Sequence, residues 1–399
     1  MGIRFEFLDA GNGDCIWITT DEGVNILIDG GWKYTHDKKL KKKKDRLDID
    51  DIKTKVKKLR KNNQKLDLVI LTHYDDDHIL GISKLIEEEK KYKSETIIKE
   101  IWFNAFENAT FPIKKKKNIS SSDNQIKHKT GAKKQKEFEE FIADIKPYID
   151  YGDLISIDEI KEPIEKENMV LLSPYTDKTY NSNRDIKITL LSPNNDKLND
   201  CKYSDYEKNK TGKKKKERDW DKSFTDLLKN IENNEKHPNP MSYLDSSVKN
   251  GSSIAFILEY KNKKYLFLGD AHIDLISTSL VKLGFNETNN PLVVEFIKLS
   301  HHGSKANINR EFLSLVQTNK FVILANGNES HWHPNKETLV LILDCYRNND
   351  KKINFIFNYE VKKIFQDAYP IFNKKELEEN GISENSFKLI YKDCVGKCK

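Results

Sequence analysis

Thr72-His73-Tyr74-Asp75-Asp76-Asp77-His78 is the stretch of this 399-residue sequence that decides its fold. It follows the apolar run 66–71, which predicts a buried strand, and precedes a segment of helical composition at 79–90. Side chains at 73, 75, 77 and 78 can converge on such a strand-to-helix turn. Two adjacent metal ions use them more easily than one, because Asp77 and His78 are neighbours that point differently from His73 and Asp75. An acidic loop capping the helix is the alternative, but a cap needs only one such residue.

Further polar motifs accompany apolar runs elsewhere in the chain. In order, they are Phe7-Leu-Asp-Ala-Gly-Asn-Gly-Asp14, Ile26-Leu-Ile-Asp-Gly-Gly31, Asn250-Gly-Ser-Ser-Ile254, Leu266-Phe-Leu-Gly-Asp270, Leu299-Ser-His-His-Gly-Ser304 and His333-Pro334. Asp270 follows a glycine at the end of an apolar run, so its carboxylate can project from a sheet edge and bridge two cations. By itself Asp270 could equally be a turn residue, and a pair such as His301 and His302 is often structural. The ordered set therefore carries the functional interpretation.

Taken together and in this order, the motifs resemble the metallo-β-lactamase superfamily. The segment 72–78 is similar to its His-x-His-x-Asp-His signature, in the variant whose second histidine is an aspartate. That variant is typical of the soluble domain of the ComEC-type family of DNA-uptake channels. The resemblance covers most of residues 1–345 apart from three lysine-rich stretches. It implies an α/β fold, the metallo-β-lactamase αββα sandwich, and a dinuclear centre holding two divalent metal ions, Zn²⁺ or Mn²⁺.

The resemblance also implies roles for individual residues. The implied metal ligands are His73, Asp75, Asp77, His78, Asp270 and one of the two adjacent histidines, with His301 favoured as a ligand of the second metal. The implied substrate-binding residues are His302 and Ser304. The implied catalytic residues are Asp77, which would orient the nucleophile, and His333 and Lys305, which would neutralise developing negative charge. For His333 a loop position before a helix stays an equal alternative.

One feature of the superfamily pattern is missing from this sequence. Most dinuclear members carry another histidine between the first motif and the bridging aspartate, and this interval holds His128 and His237, both inside lysine-rich stretches. Residues 250–253 lie nearer the expected position, so a serine or asparagine oxygen, or water, would complete the first site. Such an oxygen-rich ligand set makes Mn²⁺ as suitable as Zn²⁺ and allows weak occupancy of the first site. His272 is interpreted as a helix-entry residue.

The pattern of apolar runs predicts one large domain at 1–349. Three lysine-rich stretches, at about 33–63, 114–136 and 202–250, are predicted to be surface insertions or mobile loops. Residues 350–399 are predicted to be a C-terminal extension of unknown role. Strands are predicted at 3–8, 15–18, 24–28, 66–71, 97–103, 186–191, 253–260, 264–268, 293–299, 321–324 and 353–357. Helices are predicted at 79–90, 136–145, 273–283, 310–317 and 336–346.

Composition narrows the cellular setting. Charged residues make up 33% of the chain and the net charge is +6, with the basic residues clumped, which admits a polyanionic partner without requiring one. No apolar run approaches the length that crosses a membrane, and the charges among the first nine residues argue against a signal peptide. Five scattered cysteines argue against a disulfide framework. We therefore expect a cytoplasmic protein that is not inserted in a membrane.

The function predicted from these features is metal-dependent phosphodiester hydrolysis of DNA or RNA. Two alternatives stay open. The first is a hydrolase of a small substrate, such as a nucleotide signal, a small phosphodiester, a thioester or a lactam. The second is a non-catalytic binding module, with a protein partner, in a bacterial defence system. The intact set of acids and histidines argues against the non-catalytic alternative.

Overall fold

Two mixed β-sheets form the centre of the fold in the computed structural model of the chain, which describes residues 2–42, 49–104, 150–153, 186–204, 218–329, 331–348 and 350–396. The strands, in chain order, are β1 (Ile3–Phe7), β2 (Ile16–Thr20), β3 (Asn25–Ile28), β4 (Leu66–Ile70), β5 (Ile98–Phe103), β6 (Asp150–Asp153), β7 (Ile186–Ser192), β8 (Ala255–Tyr260), β9 (Lys263–Phe267), β10 (Leu292–Val293), β11 (Ile297–Lys298), β12 (Val316–Gln317), β13 (Lys320–Ile323), β14 (Ile353–Phe357), β15 (Phe387–Tyr391) and β16 (Cys394–Gly396).

Each sheet combines antiparallel hairpins with a parallel block. The first has the order β16-β1-β2-β3-β4-β5-β6, and the second has the order β15-β14-β13-β11-β9-β8-β7. The strands from β3 to β6 run parallel, as do β9, β11, β13, β14 and β15. Parallel strands end at the same edge of a sheet, so the loops after them lie side by side.

Helices cover the outer face of both sheets. In chain order they are α1 (Lys33–His36), α2 (Ile52–Lys61), α3 (Asp76–Glu89), α4 (Asn195–Ser204), α5 (Phe224–Glu235), α6 (Val248–Gly251), α7 (Ile273–Lys282), α8 (Arg310–Leu315), α9 (Lys336–Cys345), α10 (Val361–Phe365) and α11 (Lys374–Glu379). One apolar cluster joins α2 and α3 to the first sheet, a second fills the space between the sheets, and a third joins the second sheet to α5, α7, α8 and α9. The αββα sandwich predicted from the sequence is therefore confirmed.

The alternation of β1 shows how the central layer is built. Arg4 and Glu6 are partly exposed, whereas Phe5 between them is buried in the cluster between the sheets. The Phe5 ring lies 4.6 Å from the ring of Tyr265 and 4.9 Å from that of Phe296, both in or beside the second sheet. Aromatic pairs in this geometry stabilise a core by about 0.5–1.5 kcal/mol beyond the area they bury.

The first lysine-rich stretch is part of the core, so its prediction as a surface insertion is wrong for its described residues. In α2, Ile52, Val56 and Leu59 are buried against the first sheet. They recur at helical spacing, and the lysines between them occupy the outer face. The side chain of Asp51 caps the helix by accepting from Thr54 N at 2.8 Å. The second stretch, 114–136, and the predicted helix at 136–145 lie outside the described residues.

The third stretch also departs from its prediction. In its described part, α5 buries Phe224, Leu227 and Ile231, and the preceding loop buries Trp220, all in the cluster beside the second sheet. The segment after α5 carries α6, which reaches the site described below. These residues form an outer layer of the sandwich, and lysine-rich composition concealed their apolar stripe.

Residues 350–396 continue both sheets, which corrects the domain boundary predicted at 349. β14 pairs with β13 and β15 pairs with β14, both parallel, while β16 pairs with β1 in the other sheet. The strand predicted at 353–357 is present with these bounds. Among the described residues, no helix is long and apolar enough to cross a membrane.

Candidate metal centre

The centre forms where four loops leave the carboxyl ends of parallel strands. Asp29 follows β3, His73 follows β4, Asp270 follows β9, and His301 and His302 follow β11. Open α/β sheets place their ligands at such ends, because the loops that converge there can each contribute a side chain. The fold thus brings together residues that lie more than 200 positions apart in the sequence.

Two glycine turns hold the backbone of the 72–78 motif in place. Asp14 N donates to Asp77 O at 3.2 Å, and Gly30 N donates to His78 O at 2.7 Å. A Cβ atom added at Gly13 would lie 1.9 Å from Asp77 O, so only glycine allows this approach. The glycine motifs that end at Asp14 and Gly31 therefore support the motif 72–78.

The imidazoles of His73 and His78 are oriented by one buried carboxylate. Asp29 Oδ2 lies 2.9 Å from His78 Nδ1 and accepts from Thr72 Oγ1 at 2.7 Å. Thr72 Oγ1 in turn lies 3.1 Å from His73 Nδ1. These acceptors favour a proton on Nδ1 of each neutral ring, which leaves the Nε2 lone pair of both rings facing the centre.

The two adjacent histidines form a left-handed turn. His301 and His302 have φ angles of 47° and 58°, followed by Gly303 at 83°. Left-handed non-glycine residues cost of the order of 1–3 kcal/mol each and occur mostly at functional sites. The turn buries the side chain of His302, 1% exposed, and leaves that of His301 19% exposed.

Of the two adjacent histidines, His302 lies beside Asp77 and His78, whereas the sequence favoured His301 as the ligand of the second metal. His302 Nε2 is 3.7 Å from Asp77 Oδ2, and atoms of Asp77, His78 and His302 all lie within 4.8 Å of one another. His302 Nδ1 lies 3.1 Å from the carbonyl oxygen of Leu324, so its proton is held there. The left-handed backbone is the reason that the second histidine of the pair points inward.

Asp270 is the point on which the imidazoles converge. The Nε2 atoms of His73, His78, His301 and His302 lie 3.8, 3.5, 3.9 and 3.6 Å from Asp270 Oδ2. A carboxylate oxygen and an imidazole lone pair are both acceptors, so this convergence suits a cation between them. The side chain of Asp270 is 4% exposed, so the oxygen on which the imidazoles converge is buried.

Ser253 fixes Asp270 at this point. Asp270 N donates to Ser253 Oγ at 3.0 Å, and a Cβ at Gly269, where φ is +49°, would lie 2.5 Å from that hydroxyl oxygen. Asn250 Nδ2 donates to Asp245 Oδ2 at 2.7 Å. Of the segment 250–253, Ser253 thus positions the backbone of Asp270, and the amide nitrogen of Asn250 contacts Asp245.

Asp75 divides its carboxylate between the centre and a lysine. Its Oδ2 is 3.8 Å from His73 Nε2, while its Oδ1 accepts from Lys249 Nζ at 2.8 Å. Lys249 belongs to α6, is 38% exposed, and lies 5.5 Å from the centre of the Tyr74 ring. A positive charge therefore stands at the exposed rim of the centre.

The donor set fits a divalent metal. Within the described part of the chain, the buried atoms His73 Nε2, His78 Nε2, His302 Nε2 and Asp270 Oδ1 have no hydrogen-bond partner. Buried polar atoms without partners are rare in native folds unless water or an ion satisfies them. Imidazole nitrogens and carboxylate oxygens are ligands of both Zn²⁺ and Mn²⁺, although four imidazoles make this set richer in nitrogen than the sequence suggested.

Electrostatics support the same interpretation. Burial by itself lowers the pKa of His78, but the carboxylates of Asp270 and Asp29 outweigh it and hold that pKa well above its ordinary value. Burial likewise raises the pKa of Asp270, yet the neighbouring imidazoles, led by His302, hold it well below the usual range. The negative charge that favours a proton on His78 also favours a bound cation.

Two residues predicted to act on substrate are engaged elsewhere. Ser304 Oγ accepts from Ala306 N at 3.3 Å within its own loop. Lys305 Nζ donates to Glu337 Oε2 of α9 at 3.0 Å. The structure therefore does not bring either side chain among those that surround Asp270, and Lys305 has no part in the function proposed below.

His333 lies beside the centre. Its ring centre is 5.1 Å from that of His301 and 6.4 Å from that of His302, and it stacks on His331 at 5.9 Å. The side chain is buried. This placement is compatible with the proton-donor interpretation of His333 from the sequence.

Two further described histidines, His272 and His237, make contacts outside the Nε2 cluster. His272 Nε2 contacts Ser247 O at 2.9 Å, and its Nδ1 contacts Lys197 Nζ, in keeping with a helix-entry position. His237 contacts its own loop at Asn239. His128 lies outside the described residues.

Two functional contacts escaped the sequence interpretation. Asp14 Oδ1 lies 3.3 Å from His302 Nδ1, and Lys298 donates to the same carboxylate from within β11. A signal for both exists in the sequence. Asp14 ends a glycine motif, and Lys298 is a charged residue inside an otherwise apolar run, where a charge is stable only with a partner.

Known proteins resemble this chain over part of its length. Residues 8–138 match the family model described as "Metallo-beta-lactamase superfamily". ComE operon protein 3 of Bacillus subtilis (strain 168) is 29% identical over 101 residues, which is 25% of this chain and 12% of that protein. The chain thus matches only a small part of that relative's length.

Solved structures show a low overall similarity. Unliganded yeast PDE1 gives a TM-score of 0.43 at 10% identity, with 98% of each chain covered. The metallo-beta-lactamase fold protein YhfI from Bacillus subtilis gives 0.37 at 10% identity, covering 98% of this chain and 97% of that one. Zn²⁺-bound PqqB from Methylobacterium extorquens gives 0.37 at 11% identity, with both chains fully covered. The layer order and the match at 8–138 together show that this chain has the metallo-β-lactamase fold.

Proposed function

We propose that this chain is a metal-dependent phosphodiesterase acting on DNA or RNA. The observation that carries the proposal is the convergence of four imidazole Nε2 atoms on Asp270 Oδ2, at 3.5–3.9 Å, with Asp75 and Asp77 beside them. Divalent cations held there would supply an activated water and neutralise the charge of a phosphoryl group.

Other residues of the chain would position the ligands, donate a proton and attract the phosphate. Asp29 and Ser253 hold the ligands in place, while the partly exposed side chains of Asp75 and His301 leave the centre open to substrate and water on that side. His333, whose ring stands 5.1 Å from that of His301, would donate a proton to the leaving oxygen. Lys249, at the rim, would attract a phosphate, since it is the exposed cation nearest the Asp75 carboxylate in the contacts described above.

Nucleic acid is the proposed substrate for two reasons. The sequence resembles the soluble domain of a DNA-uptake channel family through an ordered set of motifs, and the chain carries a net charge of +6. A polyanion gains affinity from such an excess of positive charge, and this gain falls as salt rises. A small phosphodiester shares the reacting group but lacks the long backbone that would use that charge.

The test is cleavage of end-labelled single- and double-stranded DNA and RNA by the full chain. The protein is stripped of metal and then supplied with Mn²⁺, Mg²⁺ or Zn²⁺. We expect metal-dependent cleavage that Asp270→Asn reduces to background. Asp274→Asn, on the following helix α7, is the matched control and should cleave like the unaltered chain.

A small diester, bis(p-nitrophenyl) phosphate, is assayed in parallel. Hydrolysis of the diester without cleavage of any polymer would move the substrate to small phosphodiesters. Failure with both, in protein shown to contain metal, would exclude phosphodiester hydrolysis and leave another hydrolase chemistry or the non-catalytic alternative.

A further inference from the structure

The first metal position, beside His73 and Asp75, lacks the further histidine that the superfamily pattern leads one to expect. Within the described residues, His301 can supply that imidazole. Among the described histidines between His78 and His301, His237 contacts its own loop and His272 contacts Ser247 O. His301, in contrast, has its Nε2 atom 3.9 Å from Asp270 Oδ2, a separation similar to that of His73.

The ring of His301 is held in the orientation of a metal ligand. Its Nδ1 lies 3.1 Å from Asn307 Oδ1 and 3.3 Å from Asp245 Oδ2. Asn307 Nδ2 and Asn250 Nδ2 both donate to that Asp245 oxygen, at 3.0 and 2.7 Å, so Asn307 Oδ1 faces the ring as an acceptor. Asn250 Nδ2 lies farther from His301 Nδ1, at 3.3 Å, and is already engaged with Asp245. With the proton on Nδ1, the Nε2 lone pair points to Asp270, as histidine ligands supported by a carboxylate do.

His301 and His302 face different sides of Asp270. Their ring planes are 75° apart, with centres separated by 5.8 Å. His302 lies against Asp77 and is held by Asp14, whereas His301 lies against Asp245 and Asn307. The left-handed turn lets both neighbouring side chains reach Asp270, from different sides. In an extended strand, consecutive residues point to opposite faces of the sheet, so only one of them could reach it.

We propose that His301 and His302 bind different metal ions. His302 completes a position with Asp77 and His78, and His301 completes the other with His73 and Asp75, while Asp270 bridges the two. Each position then has two imidazoles, one carboxylate of its own and the shared carboxylate. The inference rests on the proposed function only in requiring metal, and it holds whatever the substrate.

Lys249 suggests a competing arrangement, in which the centre holds only one metal ion. Its ammonium group contacts Asp75 Oδ1 at 2.8 Å, next to the first position. In our proposal Lys249 orients Asp75 so that Oδ2 faces His73 at 3.8 Å. In the competing arrangement the lysine itself supplies the positive charge there, and a single metal ion binds with His78 and His302.

The test measures metal content and affinity without any substrate. The full chain and its variants His301→Gln and His302→Gln are loaded with Mn²⁺ or Zn²⁺, and metal is counted by elemental analysis and titration calorimetry. We expect two ions per chain in the unaltered protein and one in each variant. His237→Gln is the matched control and should keep two.

Three outcomes overturn the proposal. They are two ions kept at unchanged affinity by His301→Gln, a single ion bound by the unaltered chain, and no ion bound by it, which would also remove the proposed function. Asp245→Asn provides a second variant that leaves the imidazole present, and it should weaken one of the two binding steps by about 10–100-fold. Anomalous diffraction from the Mn²⁺-loaded unaltered chain tests the proposal without any variant. The imidazole of His301 must be a ligand of one anomalous peak and that of His302 a ligand of the other.

Discussion

Lys298 donates a hydrogen bond to the carboxylate of Asp14 inside the core, and neither side chain is more than 2% exposed. Burial by itself raises the pKa of Asp14, but the ammonium group of Lys298 and the imidazole of His302 together lower it to about 2. The pair joins β11 to the first glycine turn and so connects the two sheets beneath the centre.

Lys298→Met should destabilise the fold strongly, because it leaves the Asp14 carboxylate buried without its cation. Breaking a buried pair from one side costs about 3–5 kcal/mol. Urea unfolding of metal-free protein measures this loss. The double variant Lys298→Met with Asp14→Asn removes both charges and should recover part of it. A single variant as stable as the unaltered chain would show that the pair contributes nothing.

Asp29→Asn should weaken metal binding by about 10–100-fold, as expected when the group that orients a ligand is removed. An amide cannot accept at the same time from Thr72 Oγ1 and His78 Nδ1 with the strength of the carboxylate, which contacts them at 2.7 and 2.9 Å. Calorimetric titration with Zn²⁺ and Mn²⁺ measures the change. Asp67→Asn, another buried carboxylate of the first sheet, should keep the original affinity, and equal losses in both variants would refute the orienting role.

The sequence predicted the centre best where its residues are contiguous. The motif 72–78 lies on one strand-to-helix turn, so its local pattern already specifies where its side chains can meet. The choice between His301 and His302 could not be made in this way. It depends on two left-handed φ angles, and nothing in the letters of the sequence distinguishes that backbone from an ordinary strand end.

The outer layer was missed for a different reason. Phe224, Leu227 and Ile231 have the spacing of an amphipathic helix, but they stand among so many lysines, asparagines and acids that composition suggested a loop. Asp245 and Lys249, which reach the centre, follow in the same stretch. The strand at 353–357 was predicted correctly, whereas its parallel pairing with β13 is a long-range contact that a single sequence does not reveal.

Gly81→Ala should destabilise the protein by about 1–3 kcal/mol, the usual effect of adding a methyl group to a filled space. The new Cβ would lie 1.9 Å from the carbonyl oxygen of Gly30, where α3 packs on the second glycine turn. Gly30 N donates to His78 O, so metal affinity should fall as well. Thermal unfolding with and without chelator measures both effects. Ser83→Ala on the same helix should change stability by less than about 0.5 kcal/mol, and a similar small change in Gly81→Ala would contradict the close packing.

A chain ending at residue 349 should fail to unfold cooperatively, because it loses β14, β15 and β16. Phe355 and Phe357 belong to the cluster beside the second sheet, and Ile356 belongs to the cluster between the sheets. Their removal also leaves β13 as an open parallel edge, which favours aggregation. Circular dichroism during urea unfolding tests this. A chain ending at 396 keeps every described strand and should behave like the full chain; cooperative unfolding of the shorter form would restore the boundary at 349.

His36 should make the fold sensitive to acid. Its side chain is 2% exposed, and burial lowers its pKa below the ordinary 6.5 by more than the nearby Glu88, 3.4 Å away, raises it; Lys53 lowers it further. The unfolded chain therefore takes up a proton first as the pH falls below 6.5. The stability contributed by neutral His36 is complete above that pH and is lost toward the lower pKa of the folded state.

The free energy of unfolding of chelated protein, measured between pH 7.5 and 5.5, tests this. His36→Gln should flatten its pH dependence by at most about 1.4 kcal/mol per pH unit, the contribution of one proton. Comparing the variant with the unaltered chain removes any pH dependence that the two proteins share. Ser83→Ala, which removes no titratable group, should leave the slope unchanged. Parallel slopes for His36→Gln and the unaltered chain would mean that His36 has the same proton affinity folded and unfolded.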